Sequence, residues 1–194
     1  TRVLAPHDNM VPDFIFGGLK ERSCKSAAKN LLGTNRKRML LKLDLKRFYE
    51  QNKYERVYSL FLHKCDCGEK GAKLLADLCC VPFGSKTEPQ DYQTIARGFS
   101  TSPRLAVLCN LDLFIKLNST VKQSMRGKDP KISIYVDDIG VTASRATIED
   151  MQRLYGKLSA VVTGDKHHPL IVNEKKTRIV KHSGDTYGIN GELL

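Results

Sequence analysis

No stretch of this chain approaches the roughly 18 apolar residues of a membrane-spanning helix, and no secretory pattern opens it. No membrane association and a cytoplasmic location are therefore expected. The six cysteines, at 24, 65, 67, 79, 80 and 109, are not spaced as a disulfide framework, so reduced thiols are expected. His63, Cys65, Cys67 and the Cys79-Cys80 pair offer the elements of a zinc site. They lack the Cys-x₂-Cys spacing of a zinc knuckle, and zinc is not expected. Internal repeats, low-complexity segments and interior linkers are also missing. Acidic residues are in short supply, 21 against 32 basic ones, for a net charge of +11 and a pI near 9.4. The basic residues cluster from Lys20 to Lys29, from Arg36 to Lys46 and from Lys175 to Lys181. Such a surface attracts phosphate backbones, although charge alone fits a lysine-rich soluble surface equally well. The 194 residues suffice for one sizeable core. The chain opens on Thr1, which suggests a piece of something longer.

What is present is carboxylate chemistry on strands. Asp137-Asp138 lies in Ile-Ser-Ile-Tyr-Val-Asp-Asp-Ile-Gly-Val-Thr. Ile132, Ile134 and Val136 alternate with Ser133, Tyr135 and Asp137, and a second strand over residues 139–143 follows at once. The pair is expected at the tip of a tight hairpin. Two readings are open: a solvated polar turn, or adjacent like charges held for a hard divalent cation. Asp44 adds a third carboxylate. Leu41, Leu43 and Leu45 alternate with Lys42, Asp44 and Lys46, again at strand period. If the two strands neighbour each other in one sheet, three carboxylates meet and hold two Mg²⁺ ions roughly 4 Å apart, as in two-metal phosphoryl transfer.

Between these sites lies Ala96-Arg97-Gly98-Phe99-Ser100-Thr101-Ser102-Pro103-Arg104. Gly98 permits close backbone approach. Ser102 followed by Pro103 reads as a helix cap and first helical residue. Ala106, Cys109, Leu113, Leu117 and Val121 then mark one face of a single long helix. That is either an ordinary capped helix or a phosphate-binding N-terminus.

The remaining pattern is α+β. A basic helix is expected over 20–32, ended by Gly33-Thr34-Asn35. Further helices are expected over 54–61, over 73–80 and from the Thr147 cap to Gly164. Residues 1–15 read as irregular. Loops are expected over 65–71 and 82–90, and short strands over 170–172 and 178–180. The architecture implied is an antiparallel sheet with helices packed on one face.

Four motifs in this order, Leu-Asp-Leu-Lys-Arg-Phe-Tyr, Arg-Gly-Phe-Ser-Thr-Ser-Pro, Tyr-Val-Asp-Asp and Val-Asn-Glu-Lys-Lys-Thr-Arg, resemble the fingers–palm region of a reverse transcriptase. The kind resembled is the prokaryotic one, of retrons, group II introns and phage defence. Phe-Gly-Gly-Leu-Lys-Glu-Arg-Ser, from Phe16, resembles the fingers segment ahead of the first palm strand. The resemblance implies partial fingers over 1–38 and a polymerase palm over 39–194. The palm would carry a helical insertion around 50–95 and would stop about where a thumb begins. It implies an RNA-directed DNA polymerase that uses Mg²⁺, two ions with Mn²⁺ as a substitute, an RNA template, a DNA or RNA primer, and dNTPs. Asp44, Asp137 and Asp138 become the catalytic carboxylates, with the Leu45 carbonyl completing the metal shell. Tyr49 becomes the ring under the sugar of the incoming nucleotide. Arg97, Gly98, Ser102 and Lys176 fall on the nucleotide side, and Lys20, Arg22 and Lys175 on nucleic acid. The chain departs from the family pattern at Arg97, where Gln is usual, and at Asn30, where His is common. The alternatives are an RNA-dependent RNA polymerase, a degenerate palm that only binds RNA, and a template-free DNA synthesiser. Val136 and Tyr49 argue against the first, and the presence of all three carboxylates against the second.

Overall fold

The computed structural model describes residues 3–34, 37–84, 87–165 and 169–194. After a 3₁₀ turn at Ala5–Met10 come α1 (Cys24–Leu32), β1 (Arg38–Asp44), α2 (Tyr54–Ser59) with a π-helical continuation (Leu60–Lys64), and α3 (Gly68–Cys79). Then follow β2 (Cys80–Gly84), β3 (Pro89–Ile95), α4 (Ser102–Cys109), α5 (Leu111–Ser124), β4 (Lys131–Tyr135) and β5 (Asp138–Ser144). The chain ends through α6 (Ile148–Thr163), a 3₁₀ turn (Glu174–Lys176), β6 (Arg178–Val180) and β7 (Thr186–Tyr187). Two compact units result. One gathers Asp13–Gly17, Glu21–Lys46 and Asp112–Leu194; the other gathers Thr1–Pro12, Gly18–Lys20 and Arg47–Leu111.

The first unit is built on strand alternation. Its antiparallel sheet has the order β4-β5-β1-β6-β7. Leu41 faces Val141 on one side and Ile179 on the other, and Val141 faces Ile132. This register puts Met39, Leu41, Leu43, Ile134, Ile139 and Ala143 on the same face, all buried. Burial of each large aliphatic side chain contributes about 1.5–3 kcal/mol, so this layer fixes where the strand ends lie. Helix α6 packs against β1 and buries Met151, Leu154, Leu158 and Val162. Its start and end fall where expected, at a Thr147/Asp150 capping box and at Gly164.

The opposite face carries Arg38, Lys42, Asp44, Ser133, Asp138, Gly140 and Thr142. Over β4 and β5 it is met by α1. Ser133 Oγ donates to Ala27 O at 2.9 Å and Thr142 Oγ1 to Leu31 O at 2.6 Å. Asn30, the departure from a family histidine, donates from Nδ2 to Ile132 O at 2.8 Å. A Cβ at Gly140 would lie 2.6 Å from Leu31 Cδ1, so the missing side chain lets the helix approach. Helix α1 starts at Cys24 rather than at 20, because Glu21 has φ 66° and Ser23 forms a capping box with Ser26. Asn35 and Arg36, at the expected helix end and in the basic cluster, lie outside the described residues.

The second unit departs more from expectation. Residues 82–90 are not simply a loop: β2 and β3 pair antiparallel there, Val81 with Thr94 and Pro82 with Gln93. Pro82 and Pro89 hide this hairpin from local reading, and it gains from Phe83 stacked on Tyr92 with ring centroids 5.3 Å apart. Helix α3 begins at Gly68, inside the expected 65–71 loop. The single long helix expected after Pro103 is broken at Asn110. That side chain turns inward, and Nδ2 donates to Ala106 O and to Asn52 Oδ1, each at 2.7 Å. Asn52 in turn donates to Phe48 O at 2.7 Å, and its carbonyl accepts the Ile95 N–H at 3.1 Å. Both asparagines are fully buried. Asn52→Leu would leave the Asn110 amide and the Phe48 carbonyl without these partners. A loss of about 1–3 kcal/mol is expected, since buried hydrogen bonds are lost while Asn110 Nδ2 keeps Ala106 O. Urea unfolding checks this, and a loss under about 0.5 kcal/mol would show that the pair is not a stabilising centre.

Candidate active site

The site grows from the end of β1. Asp44 is the last residue of that strand and the direct cross-strand partner of Asp138. Asp44 is 7% exposed. Strands β4 and β5 meet in a two-residue turn of Val136 and Asp137, since Tyr135 pairs with Asp138. The hairpin tip is thus where the sequence put it. Val136 has φ 59°, and only the first of the two turn residues is positive, the sign pattern of a type II′ turn. Glycine favours that position, and a β-branched residue there is strained. The turn is locked to β1 by the Leu45 N–H, which donates to Asp137 O at 3.1 Å.

A third segment closes the arrangement. The Lys46 N–H donates to Ile171 O at 2.9 Å, and the Asn173 N–H to Asp44 O at 2.8 Å. Residues 170–172 make one isolated bridge, Leu45 to Val172, with the Leu170 N–H donating to Val162 O at 3.1 Å, and form no strand. Past it, buried Thr177 donates its hydroxyl to Asn173 O at 3.0 Å and closes the 3₁₀ turn. That turn puts Lys176 Nζ 3.9 Å from Asp44 Oδ2.

The carboxylates do not share one environment. Lys42 Nζ lies 3.1 Å from Asp138 Oδ1. Sequence reading passed over Lys42, although its place two residues before Asp44 on a strand already puts both on one face. Burial pushes the Asp137 carboxyl above its ordinary value, a backbone N–H opposes this, the charges of Asp138 and Asp44 add to the rise, and Lys176 lowers it. The balance is upward. Among the described residues no group of three or more His, Cys, Asp or Glu side chains is arranged to hold a metal ion. The three carboxylates lie close enough for the charges of Asp44 and Asp138 both to act on Asp137, while Lys42 engages Asp138 from the same face. Asp44 and Asp137 still fit a divalent cation, because the mutual repulsion that raises Asp137 is what a cation would reverse.

A carboxyl held above its unfolded value favours the fold most in acid. That contribution is complete below the unfolded value of 3.8 and is lost as pH rises through the raised folded value. Asp137→Asn in metal-free protein is therefore expected to raise the melting temperature at neutral pH. The gain should shrink as the pH falls into the acid range. Thermal unfolding across pH checks it, and a gain independent of pH would detach it from this carboxyl.

The other sequence-assigned residues are placed as follows. In the unit that contains Arg47–Leu111, Tyr49 is half-buried, and its ring centroid is 6.2 Å from that of Phe48, which is fully buried. Arg97 Nη2 lies 2.6 Å from Glu50 Oε1. Gly98 has φ 87° with open space around a built Cβ, so the backbone conformation, not crowding, calls for glycine. Ser102 is not the helix cap. Thr101 takes that place, and the buried Ser102 hydroxyl donates to Ala96 O at 2.5 Å, which holds the loop onto the helix start. Lys20 is exposed. In the sheet-bearing unit, Arg22 donates to Ile15 O at 2.5 Å and lies 3.7 Å from Asp13. Lys175 is exposed beside Lys176. Burial pushes the Cys65 thiol up to about 11 and the Cys80 thiol up to about 12, so neither is primed as a thiolate.

Residues 1–190 match the family described as reverse transcriptase (RNA-dependent DNA polymerase). No curated protein matches the chain. Among solved structures, telomerase from Candida albicans in complex with the TWJ fragment of telomeric RNA is similar. It shares 10% identity and a TM-score of 0.58, over 100% of this chain and 38% of that one. Telomerase from Candida tropicalis truncated from its C-terminal domain gives 12% identity and a TM-score of 0.53, over 96% of this chain and 43% of that one. At such identity the likeness concerns the fold, and the chain spans about two fifths of the length of these telomerases. No helix among the described residues is long and apolar enough to cross a membrane.

Proposed function

We infer that this chain, which belongs to the reverse transcriptase (RNA-dependent DNA polymerase) family, is the nucleotidyl-transfer core of an RNA-directed DNA polymerase. The observation that carries this is half-buried Asp137, in a turn bonded to the Leu45 N–H and within the electrostatic reach of Asp44 at the end of β1, with Lys176 within 3.9 Å of Asp44. Asp44, Asp137 and the Leu45 carbonyl would hold Mg²⁺, two ions by family resemblance, or Mn²⁺ in its place. Such ions would supply the lowered pKa of a primer 3′-hydroxyl and the neutralisation of triphosphate charge there. Asp138 pairs with Lys42 beside Asp137, and the Lys42 ammonium offsets part of the negative charge there. The Lys176 ammonium, 68% exposed on its tethered turn, is free to swing toward the leaving pyrophosphate and offer it a proton.

Tyr49, Arg97 and Gly98 are assigned to the incoming nucleotide, and Ser102 to the shape of their loop. Arg22 serves the fold around Ile15 and Asp13, so Lys20 and Lys175 are the better contacts for template or primer. The ordered motifs favour the prokaryotic kind of enzyme, with fingers over 1–38 and palm over 39–194. The deciding experiment is extension of a DNA primer on an RNA template by the full-length protein, with dNTPs or rNTPs and Mg²⁺ or Mn²⁺. Incorporation of dNTPs supports this function. Incorporation of rNTPs alone would establish the RNA-polymerase alternative, and none of either the binding-module alternative.

The net charge of +11 gives a second expectation. Primer–template affinity should fall steeply with salt, by about 10³-fold or more from 50 to 200 mM if six or more phosphates are contacted. Fluorescence anisotropy across that range checks it. A flat dependence would remove the basic surface from the binding account.

A further inference from the structure

The segment ahead of α1 reaches the catalytic hairpin from behind. Residues 14–17 run along the outer edge of β4. Phe14 O accepts the Ile134 N–H at 2.9 Å, and Ile134 O accepts the N–H groups of Phe16 at 2.7 Å and Gly17 at 3.4 Å. Arg22, through Ile15 O and Asp13, ties this segment down from its other side. The path brings Gly17 onto the turn that carries Asp137. A Cβ at Gly17 would stand 2.3 Å from Val136 N, 2.6 Å from Val136 Cγ2 and 2.9 Å from Tyr135 C. Two of these three atoms are backbone of the turn, so no rotamer change relieves the overlap. The φ of Gly17 lies outside the left-handed region, so glycine is demanded by space alone.

The turn it touches is the strained one. Val136 keeps φ 59°, and such a conformation in a β-branched residue persists only where its surroundings over-determine it. We propose that Gly17 is a positioning residue for Asp137: its bare backbone backs the Val136 turn and so sets where the Asp137 carboxylate sits relative to Asp44. This deepens the polymerase assignment and presumes Asp137 as a working carboxylate. The Leu45 N–H, bonded to Asp137 O at 3.1 Å, reports the position of the turn without any catalysis.

The test is Gly17→Ala in the full-length protein, read by hydrogen exchange at the Leu45 amide and by Mn²⁺ titration calorimetry. Leu45 is expected to exchange about tenfold faster or more, while amides in the body of β1 and β5 change little. Mn²⁺ affinity is expected to fall about tenfold, in line with the loss from a misplaced ligand support. A folded Gly17→Ala protein with unchanged Leu45 exchange overturns the proposal, whatever its activity. If wild type binds no Mn²⁺, the polymerase assignment fails, while the exchange result still decides the role of Gly17. Should Gly17→Ala not fold, Val136→Gly is added, which removes the Cγ2 overlap and lets the turn move. That double variant is expected to fold with Leu45 unprotected. Protection there, or failure to fold, would assign Gly17 to the fold rather than to the turn.

Discussion

Asp44→Asn and Asp137→Asn are each expected to abolish nucleotide transfer, on the order of a thousandfold or more, while the protein stays folded. Asp44 sits at the end of β1 and Asp137 in the β4–β5 turn, both beyond the apolar layer of Leu41, Val141 and Ile179 that holds the sheet. Replacing Asp44 removes a long ion pair to a Lys176 side chain that is 68% exposed, and such pairs stabilise little. Asparagine keeps shape and hydrogen bonding but removes the charge that a divalent cation requires. Asp138→Asn is expected to cost less, because its charge answers Lys42 at 3.1 Å. Single-turnover dNTP incorporation by the full-length protein, beside circular dichroism, separates these cases. Near-normal turnover in either of the first two variants would sink the assignment of Asp44 and Asp137. An equal loss in all three would show that Asp138 also holds metal.

Tyr49→Ala is expected to raise ribonucleotide use relative to deoxynucleotide use by on the order of a hundredfold, about 2.7 kcal/mol at 1.36 kcal/mol per tenfold. The physical cause is steric: the 2′-hydroxyl is the group that distinguishes the sugars, and an aromatic ring beneath the sugar leaves it no room. Phe48 is fully buried and belongs to the packing, whereas Tyr49 is half-buried and has surface left to offer. Removing the ring should cost deoxynucleotide use less than it gains for ribonucleotides. The measurement is the ratio of dNTP to rNTP incorporation at one template position for wild type and variant. An unchanged ratio would return Tyr49 to the packing and reopen the RNA-polymerase alternative.

Much of this was legible in the chain because it is written at short range. Two-residue alternation marked β1, β4 and β5, and with them Asp44 at a strand end and Asp137 in a hairpin turn. The Thr147 cap and Gly164 bounded α6 because capping involves residues three or four apart. Lys176, preferred over Lys175 in the sequence, is set beside Asp44 by the 3₁₀ turn, while its role remains a proposal. The β2–β3 hairpin did not show, because two prolines speak against strands locally and the Phe83–Tyr92 stack that favours pairing spans the turn. The break at Asn110 did not show either. The side chain there bonds to Asn52, 58 residues away in sequence, a contact that local reading does not reach.

By itself, then, the sequence determined the basic surface, the mixed helix-and-sheet class, the strands that carry the carboxylates, and the family. Each of these follows from composition, periodicity or an ordered run of motifs. Tertiary structure alone decided which carboxylates face each other, that Lys42 claims Asp138, that Arg22 is spent on Ile15 and Asp13, and that Gly17 backs the Val136 turn. The reason is physical. Strand register and edge pairing bring together residues more than a hundred positions apart, such as Gly17 and Val136, and the distances they set appear only once the apolar face of the sheet has closed.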